Sequence, residues 1–352
     1  MKMTFRWYGK SDPVTLDKIR QIPVIDGIVS SLYHIKPGEV WAEEEIRALK
    51  GDIEDAGLNF EVVESVPVVE DIKLGAPERD KYIDNYITTI KRLGKEGIKV
   101  VCYNFMPVFD WLRTDLRYRY PDGSLALSYD NERVLKFNPL TIGDELNLPA
   151  WDKSITRERL VELLEIYKDF TLEKYFANIK YFLDAIIPHA EQAGVKMAIH
   201  PDDPPWSIFN LPRIIGNKDN LRKFLDLNKS AYNGITFCTG SFGCNKENDL
   251  ADMIKMCQGR IHFAHLRNVL ITGFRCFTEA AHPTNKGSLD MYEIVKALVD
   301  TGFDGYVRPD HGRAIWGEEG TPGYGLYDRA LGAMYISGLF EAVEKGGKNV
   351  KR

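Results

Sequence analysis

The chain has 352 residues, a formal net charge of −5 at pH 7, and 44% hydrophobic and 28% charged residues. This balance excludes disordered and fibrous classes, and no apolar run approaches the roughly 18 residues that span a bilayer. A mildly acidic chain also lacks the concentrated basic surface that grips a nucleic-acid backbone.

In chain order, short apolar runs at 4–8 (TFRWY) and 23–29 (PVIDGIV) read as the first two strands. A unit then repeats: a helix-like stretch, a Gly or short polar turn, and an apolar run. It occurs at Gly57, Gly97, Gly194, Gly234, Gly259 and Gly302. Glycine fits just past a helix because it accepts φ > 0 without a Cβ clash. The following runs, at 59–64, 99–104, 196–200, 235–238, 261–265 and 305–310, are rich in Val, Ile, Phe and Tyr and read as strands. Helices are expected over 43–56, 81–96, 171–190 and 289–301. In 171–190 the apolar stripe is Leu172, Phe176, Ile179, Leu183 and Ile186; in 289–301 it is Leu289, Tyr292, Val295 and Val299. The acidic run Glu43–Glu45 suits the first turn of a helix, where the macrodipole favours negative charge.

Eight strands alternating with helices predict an α/β fold, a single (β/α)8 TIM barrel over 1–352, in preference to a doubly wound open sheet. The long interval after strand four, about 105–155, is polar, aromatic and irregular, and reads as a loop insertion rather than a second domain. The start, MKMTFRWYGK, lacks the features of a signal peptide, and five cysteines spread thinly fit a reducing cytoplasm.

In a parallel barrel the chemistry sits at the carboxyl ends of the strands. Four consecutive strands end in metal-binding groups: His200, Cys238, His265 and Asp310, each directly before loop residues. Taken singly, each has a structural reading: a hydrogen-bonded histidine, a small buried thiol, a capping carboxylate. Together, two imidazoles, a thiolate and a carboxylate make a reasonable shell for a divalent transition metal. His262 and His265 are three apart on one strand and so face opposite sides; His265, at the carboxyl end, is the one expected in the mouth. Cys102, Cys257 and Cys276 read as structural, with Cys244, Cys257 and Cys276 in loop or helix.

The segments HPDDPPW (200–206), FCTGSFG (237–243), HFAHLRNV (262–269), RPDHGR (308–313) and GYGLYDRALG (323–332), in this order, resemble the mannonate dehydratase family of the xylose-isomerase-like TIM barrels. The resemblance implies dehydration of D-mannonate to 2-keto-3-deoxy-D-gluconate in hexuronate catabolism. It implies a divalent cation, manganese or ferrous iron, on residues matching His200, Cys238, His265 and Asp310. It also implies His311 and Tyr324 as an acid–base pair.

That chemistry has recognisable needs. Removing the C2 proton beside a carboxylate builds an enediolate-like dianion, which a Lewis acid stabilises. The departing C3 hydroxide must be protonated, so two proton-handling groups are expected. An imidazole serves in either role near neutral pH. A tyrosine serves readily as an acid, and Tyr324 sits between two glycines that let its loop bend over the mouth. Which of the two is acid stays open at this point. Arg313 and Arg267 follow two of the ligands and could meet an anionic substrate; Asp202 and Ser241 could meet its hydroxyls; His34 and Asn104 could line the mouth. Each serves equally well as loop scaffolding. A thiolate in the shell disfavours magnesium and calcium; zinc and ferrous iron fit by softness, and manganese rests on the resemblance. The alternatives are a sugar isomerase on the same fold, a non-catalytic sugar-acid-binding metalloprotein and a barrel nuclease. A small-molecule sugar acid is the expected partner, with neither nucleic acid nor membrane, and exposed helical faces leave room for a homo-oligomer.

Overall fold

The computed structural model describes residues 1–142 and 155–349. Its strands, in chain order, are β1 (Lys2–Arg6), β2 (Gly27–Ser30), β3 (Asn59–Glu64), β4 (Val100–Tyr103), β5 (Asp115–Arg119), β6 (Leu125–Asp130), β7 (Lys196–Ile199), β8 (Asn233–Cys238), β9 (Ile261–His265), β10 (Asn268–Gly273), β11 (Cys276–Ala280) and β12 (Tyr306–Arg308). Eight of them close a barrel in the order β1, β12, β9, β8, β7, β4, β3, β2. Every neighbour in it is parallel, and β1 seals the ring by pairing Lys2 with Tyr306 and Met3 with Val307. The open-sheet alternative is thereby excluded. The first two strands sit at Lys2–Arg6 and Gly27–Ser30, displaced from the expected 4–8 and 23–29.

Alternation along each strand builds two layers. Val29, Val62, Val100, Cys102, Ala198 and Phe263 fill the interior as a cluster of their own. Their neighbours Val63, Val101, Met197 and Ile199 belong to the larger core shared with the helices. Strands covered on both faces read as unbroken apolar runs, which is why they were visible without alternation. Each buried aliphatic side chain contributes about 1.5–3 kcal/mol. His262 and His265 do face opposite sides: the ring of Phe263 packs edge-on against His265 at 4.5 Å, on the interior face.

The helices follow the expected stretches. Glu43–Asp55 carries three glutamates in its first turn. Leu172–Ala193 is capped by Thr171, whose side chain accepts from the Lys174 amide, and ends at left-handed Gly194. It buries Phe176, Ile179, Leu183 and Ile186, whereas Leu172, its first residue, is exposed. The last expected stripe needs a correction. Leu289 precedes the cap Asp290, so the helix Met291–Asp300 starts its period at Met291. It buries Met291, Ile294, Val295 and Leu298 and leaves Tyr292 outside.

The expected irregular insertion is also corrected. It contains β5 and β6, which join β10 and β11 in a second, antiparallel sheet ordered β10-β11-β6-β5. β5 pairs only with β6, across the short turn at 120–124, whereas β6 finds its second partner, β11, some 150 residues downstream, as in the pairing of Tyr129 with Phe277. Cys276 therefore lies on a strand, not in a loop or helix. The part of the insertion from 143 to 154 lies outside the described residues. Among the described residues no helix is long and apolar enough to cross a membrane. All five cysteines are free thiols.

Candidate active site

Parallel register delivers the four strand-end residues to one place. Cys238, the last residue of β8, pairs with His265, the last of β9, and His265 pairs with Arg308 of β12, two residues before Asp310. His200 follows β7 and continues its ladder, its amide donating to the Tyr103 carbonyl at 2.6 Å. One ligand-type atom from each of His200, Cys238, His265 and Asp310 lies within 4.8 Å of every other. His200 is half-buried and the other three are buried.

The surroundings determine which atoms are available. His200 Nδ1 bonds the Pro201 carbonyl at 2.7 Å, so its Nε2 carries the lone pair. His265 turns Nε2 toward Arg308 Nε (3.0 Å) and Glu64 Oε2 (3.3 Å), and Nδ1 toward Asp310 Oδ1 (3.6 Å). Burial raises the Asp310 carboxyl, but Arg308, with His311, His265 and Arg267, outweighs it and holds it well below the usual range. Cys238 Sγ lies 3.5 Å from Asp310 Oδ2 and accepts from Ser241 Oγ at 3.1 Å. Two imidazoles, a thiol already facing a carboxylate, and an ionised carboxylate fit a first-row divalent cation.

His311 directly follows Asp310, and its Nε2 is 4.0 Å from Asp310 Oδ1. The same nitrogen lies 2.9 Å from the Tyr324 hydroxyl, and Nδ1 lies 3.1 Å from Glu279 Oε1. Trp111 packs on the imidazole with ring centroids 5.5 Å apart. Burial raises the Tyr324 phenol to about 12, helped by the Asp310 charge and opposed by Arg6 and Arg308. The loop reaches this position through Gly323, at φ +83, where a Cβ would stand 2.7 Å from Leu127. A Cβ at Gly325 would strike the Glu318 carboxylate.

The remaining expected contacts fall in different places. Arg267 is fully buried and held by carboxylates: its Nη2 pairs with Asp203 at 2.6 Å, Nη1 with Glu279, and Nε lies 2.8 Å from Asp310 Oδ2. Ser241 accepts from Arg267 Nη2 at 3.2 Å while donating to Cys238. Arg313 turns to Asp328 (3.0 Å) and Asp122 (3.3 Å). Asp202 accepts from the Ile215 amide at 2.6 Å and faces Arg213, a loop-bracing role. Asn104 bonds Asp110 and the Met106 amide within its own loop. His34 is exposed and pairs with Glu45 at 2.7 Å.

Sequence reasoning missed the charged frame around these groups. Arg113 grips Asp203 with two nitrogens (2.8 and 2.9 Å) and Glu279 with one (2.8 Å). Arg308 pairs with Asp310 at 2.7 Å and Glu64 at 3.0 Å, and Arg6 pairs with Glu64 at 2.5 Å. Four guanidiniums (Arg6, Arg113, Arg267, Arg308) thus interlock with four carboxylates (Glu64, Asp203, Glu279, Asp310). Burial pushes the Glu279 carboxyl up, yet Arg267 and Arg113 bring it down to about 2. Signals for two members were present: Glu64 ends β3 as the ligands end theirs, and Arg308 shares Asp310's side of the chain at i, i+2.

A family model described as D-mannonate dehydratase (UxuA) matches residues 1–350. The mannonate dehydratase of Streptococcus uberis is 54% identical over 350 residues, covering 99% of this chain and 100% of that one. That of Thermotoga maritima is 55% identical over 355 residues, covering 98% of each. The crystal structure of mannonate dehydratase from Streptococcus suis serotype2 aligns with a TM-score of 0.90 at 48% identity, covering 99% of this chain and 96% of that one. A D-psicose 3-epimerase structure, at 12% identity and a TM-score of 0.56, shares the fold alone. End-to-end matches at these identities place the chain in the D-mannonate dehydratase family.

Proposed function

We propose that this chain dehydrates D-mannonate to 2-keto-3-deoxy-D-gluconate in hexuronate catabolism, using a manganese or ferrous ion held by His200, Cys238, His265 and Asp310. The observation that carries the reading is adjacency: the His311–Tyr324 pair stands at the edge of the four-residue cluster, His311 Nε2 being 4.0 Å from Asp310 Oδ1. When bound, the cation supplies Lewis acidity where negative charge develops on the substrate carboxylate side of C2.

The residues account for the proton traffic. Glu279 accepts from His311 Nδ1–H, so His311 presents Nε2 as the base that takes the C2 proton. The C–H electron pair becomes the C2–C3 double bond as the C3–O bond breaks. Tyr324, a phenol raised to about 12, first by burial, keeps its proton until that hydroxide leaves and then releases it as water. The enol product tautomerises to the 2-keto acid. Transfer of the proton from His311 to the Tyr324 phenolate, across 2.9 Å, restores both groups. His311 is thus the base and Tyr324 the acid.

The balance of charge supports an anionic substrate. The four guanidiniums and four carboxylates cancel, so a divalent cation with one thiolate leaves a single positive charge. The same reading treats 1–352 as one cytoplasmic domain, with the second sheet an elaboration of the barrel. The test is incubation with D-mannonate and manganese under reducing, oxygen-free conditions, with assay for a 2-keto acid. Aldose–ketose exchange without keto acid, or binding without turnover, would reject the proposal.

A further inference from the structure

We propose that Glu279, presented by the second sheet, is a positioning residue that fixes the tautomer and orientation of His311. The inference rests on the functional reading above and adds to it a role for an element outside the barrel. Glu279 lies on β11 and is fully buried. Its Oε1 faces three nitrogens: Arg113 Nη2 at 2.8 Å, His311 Nδ1 at 3.1 Å, and Arg267 Nη1. A carboxylate between two guanidiniums carries no proton and can only accept. The hydrogen on the Glu279–His311 bond therefore belongs to Nδ1. A neutral imidazole has one N–H, so Nε2 is left with its lone pair, and the 2.9 Å bond to Tyr324 runs from the hydroxyl to the ring. The direction of the whole chain, Glu279 to His311 to Tyr324, follows from the charge at one end.

The backbone holds that end in place. Tyr120 donates its hydroxyl to the Glu279 carbonyl at 3.0 Å, and Phe277 and Thr278 of the same strand pair with Tyr129 and Ser128 of β6. Arg113 enters just before β5 and clamps both Glu279 and Asp203, the latter in the loop after β7. The second sheet and the barrel thus meet at the carboxylate that orients the base. A barrel strand end alone supplies His311 but nothing to select its tautomer.

The experiment is nitrogen-15 NMR of the full chain labelled on histidine and loaded with diamagnetic zinc, at about pH 8 where an ordinary imidazole is neutral. Seven histidines give a tractable spectrum, and His311→Asn identifies the signal by its loss. The wild type is expected to show the Nδ1–H tautomer at His311. An Nε2–H tautomer, or a doubly protonated ring, would overturn the proposal without any Glu279 variant having to fold. In Glu279→Gln the tautomer is expected to shift or mix, with kcat down at least about 100-fold, KM within about 3-fold and metal content unchanged. Lower stability and lower kcat with the tautomer unchanged would mark Glu279 as merely structural and reject it. A protein with the expected tautomer that leaves mannonate untouched would instead sink the functional reading, so the two failures are told apart.

Discussion

His311 Nε2 and the Tyr324 hydroxyl lie 2.9 Å apart, although the two residues stand thirteen positions apart, at opposite ends of a loop. One is fixed to the barrel by the strand that ends at Arg308, the other by a turn in which Gly323 and Gly325 remove side chains that would collide with Leu127 and Glu318. Neither belongs to the four-residue cluster. Removing either should therefore abolish proton transfer without releasing the cation. Tyr324→Phe and His311→Asn are each expected to lower kcat by about 10²- to 10⁴-fold. Elemental analysis should find wild-type metal content in both; depleted metal would place these side chains in the shell instead.

The barrel and the cluster were legible because both obey local rules. Strands buried on two faces read as apolar runs, and His200, Cys238, His265 and Asp310 each close such a run. The charged frame was not legible, for the opposite reason. Arg113 lies just before β5 and Glu279 on β11, and the β6–β11 pairing that brings them together joins segments some 150 residues apart. The HPDD motif singled out Asp202, yet Asp202 braces the Ile215 amide while its neighbour Asp203 receives two guanidiniums. Arg267 was expected to face substrate; three carboxylates claim it, a count that only the three-dimensional neighbourhood supplies.

Cys238 tests the cluster itself. Its sulfur is fully buried, 3.5 Å from Asp310 Oδ2, and Ser241 donates to it. Cys238→Ser keeps the size and loses the soft thiolate. The variant is expected to bind manganese or ferrous iron more than about 10-fold more weakly, measured by competition with a chelator. Affinity equal to wild type would remove Cys238 from the shell.

His262 offers a pH test away from the mouth. It lies near the amino end of β9, against Gly234, and its Nε2 has no hydrogen-bond partner among the described residues. Burial first, then the charges of Lys196 and Arg260, bring its pKa from 6.5 down to about 3, against a hydrogen bond that the ring donates to the Ala231 backbone. A depressed histidine stays neutral in the fold while the unfolded chain takes up a proton. Its contribution is thus complete above about pH 6.5 and is lost as pH falls toward 3, at up to about 1.4 kcal/mol per pH unit. Urea unfolding across that window should show a shallower acid slope for His262→Phe than for the wild type. Parallel slopes would show that the imidazole is already protonated in the fold.

Arg113 ties the second sheet to the barrel, and its removal should be felt as stability as well as activity. The guanidinium is fully buried, bidentate on Asp203 and bonded to Glu279. Arg113→Met approximates the length of the chain and deletes the charge. Asp203 and Glu279 then share Arg267 alone, leaving buried negative charge uncompensated, which costs about 3–5 kcal/mol. The urea midpoint should fall accordingly. Because Glu279 loses one of the two cations that hold it ionised, kcat should fall as well. Full stability in Arg113→Met would mean that the two sheets are joined by apolar contacts, such as those of Tyr129 and Phe277 with Trp206 in the loop after β7, and not by this guanidinium.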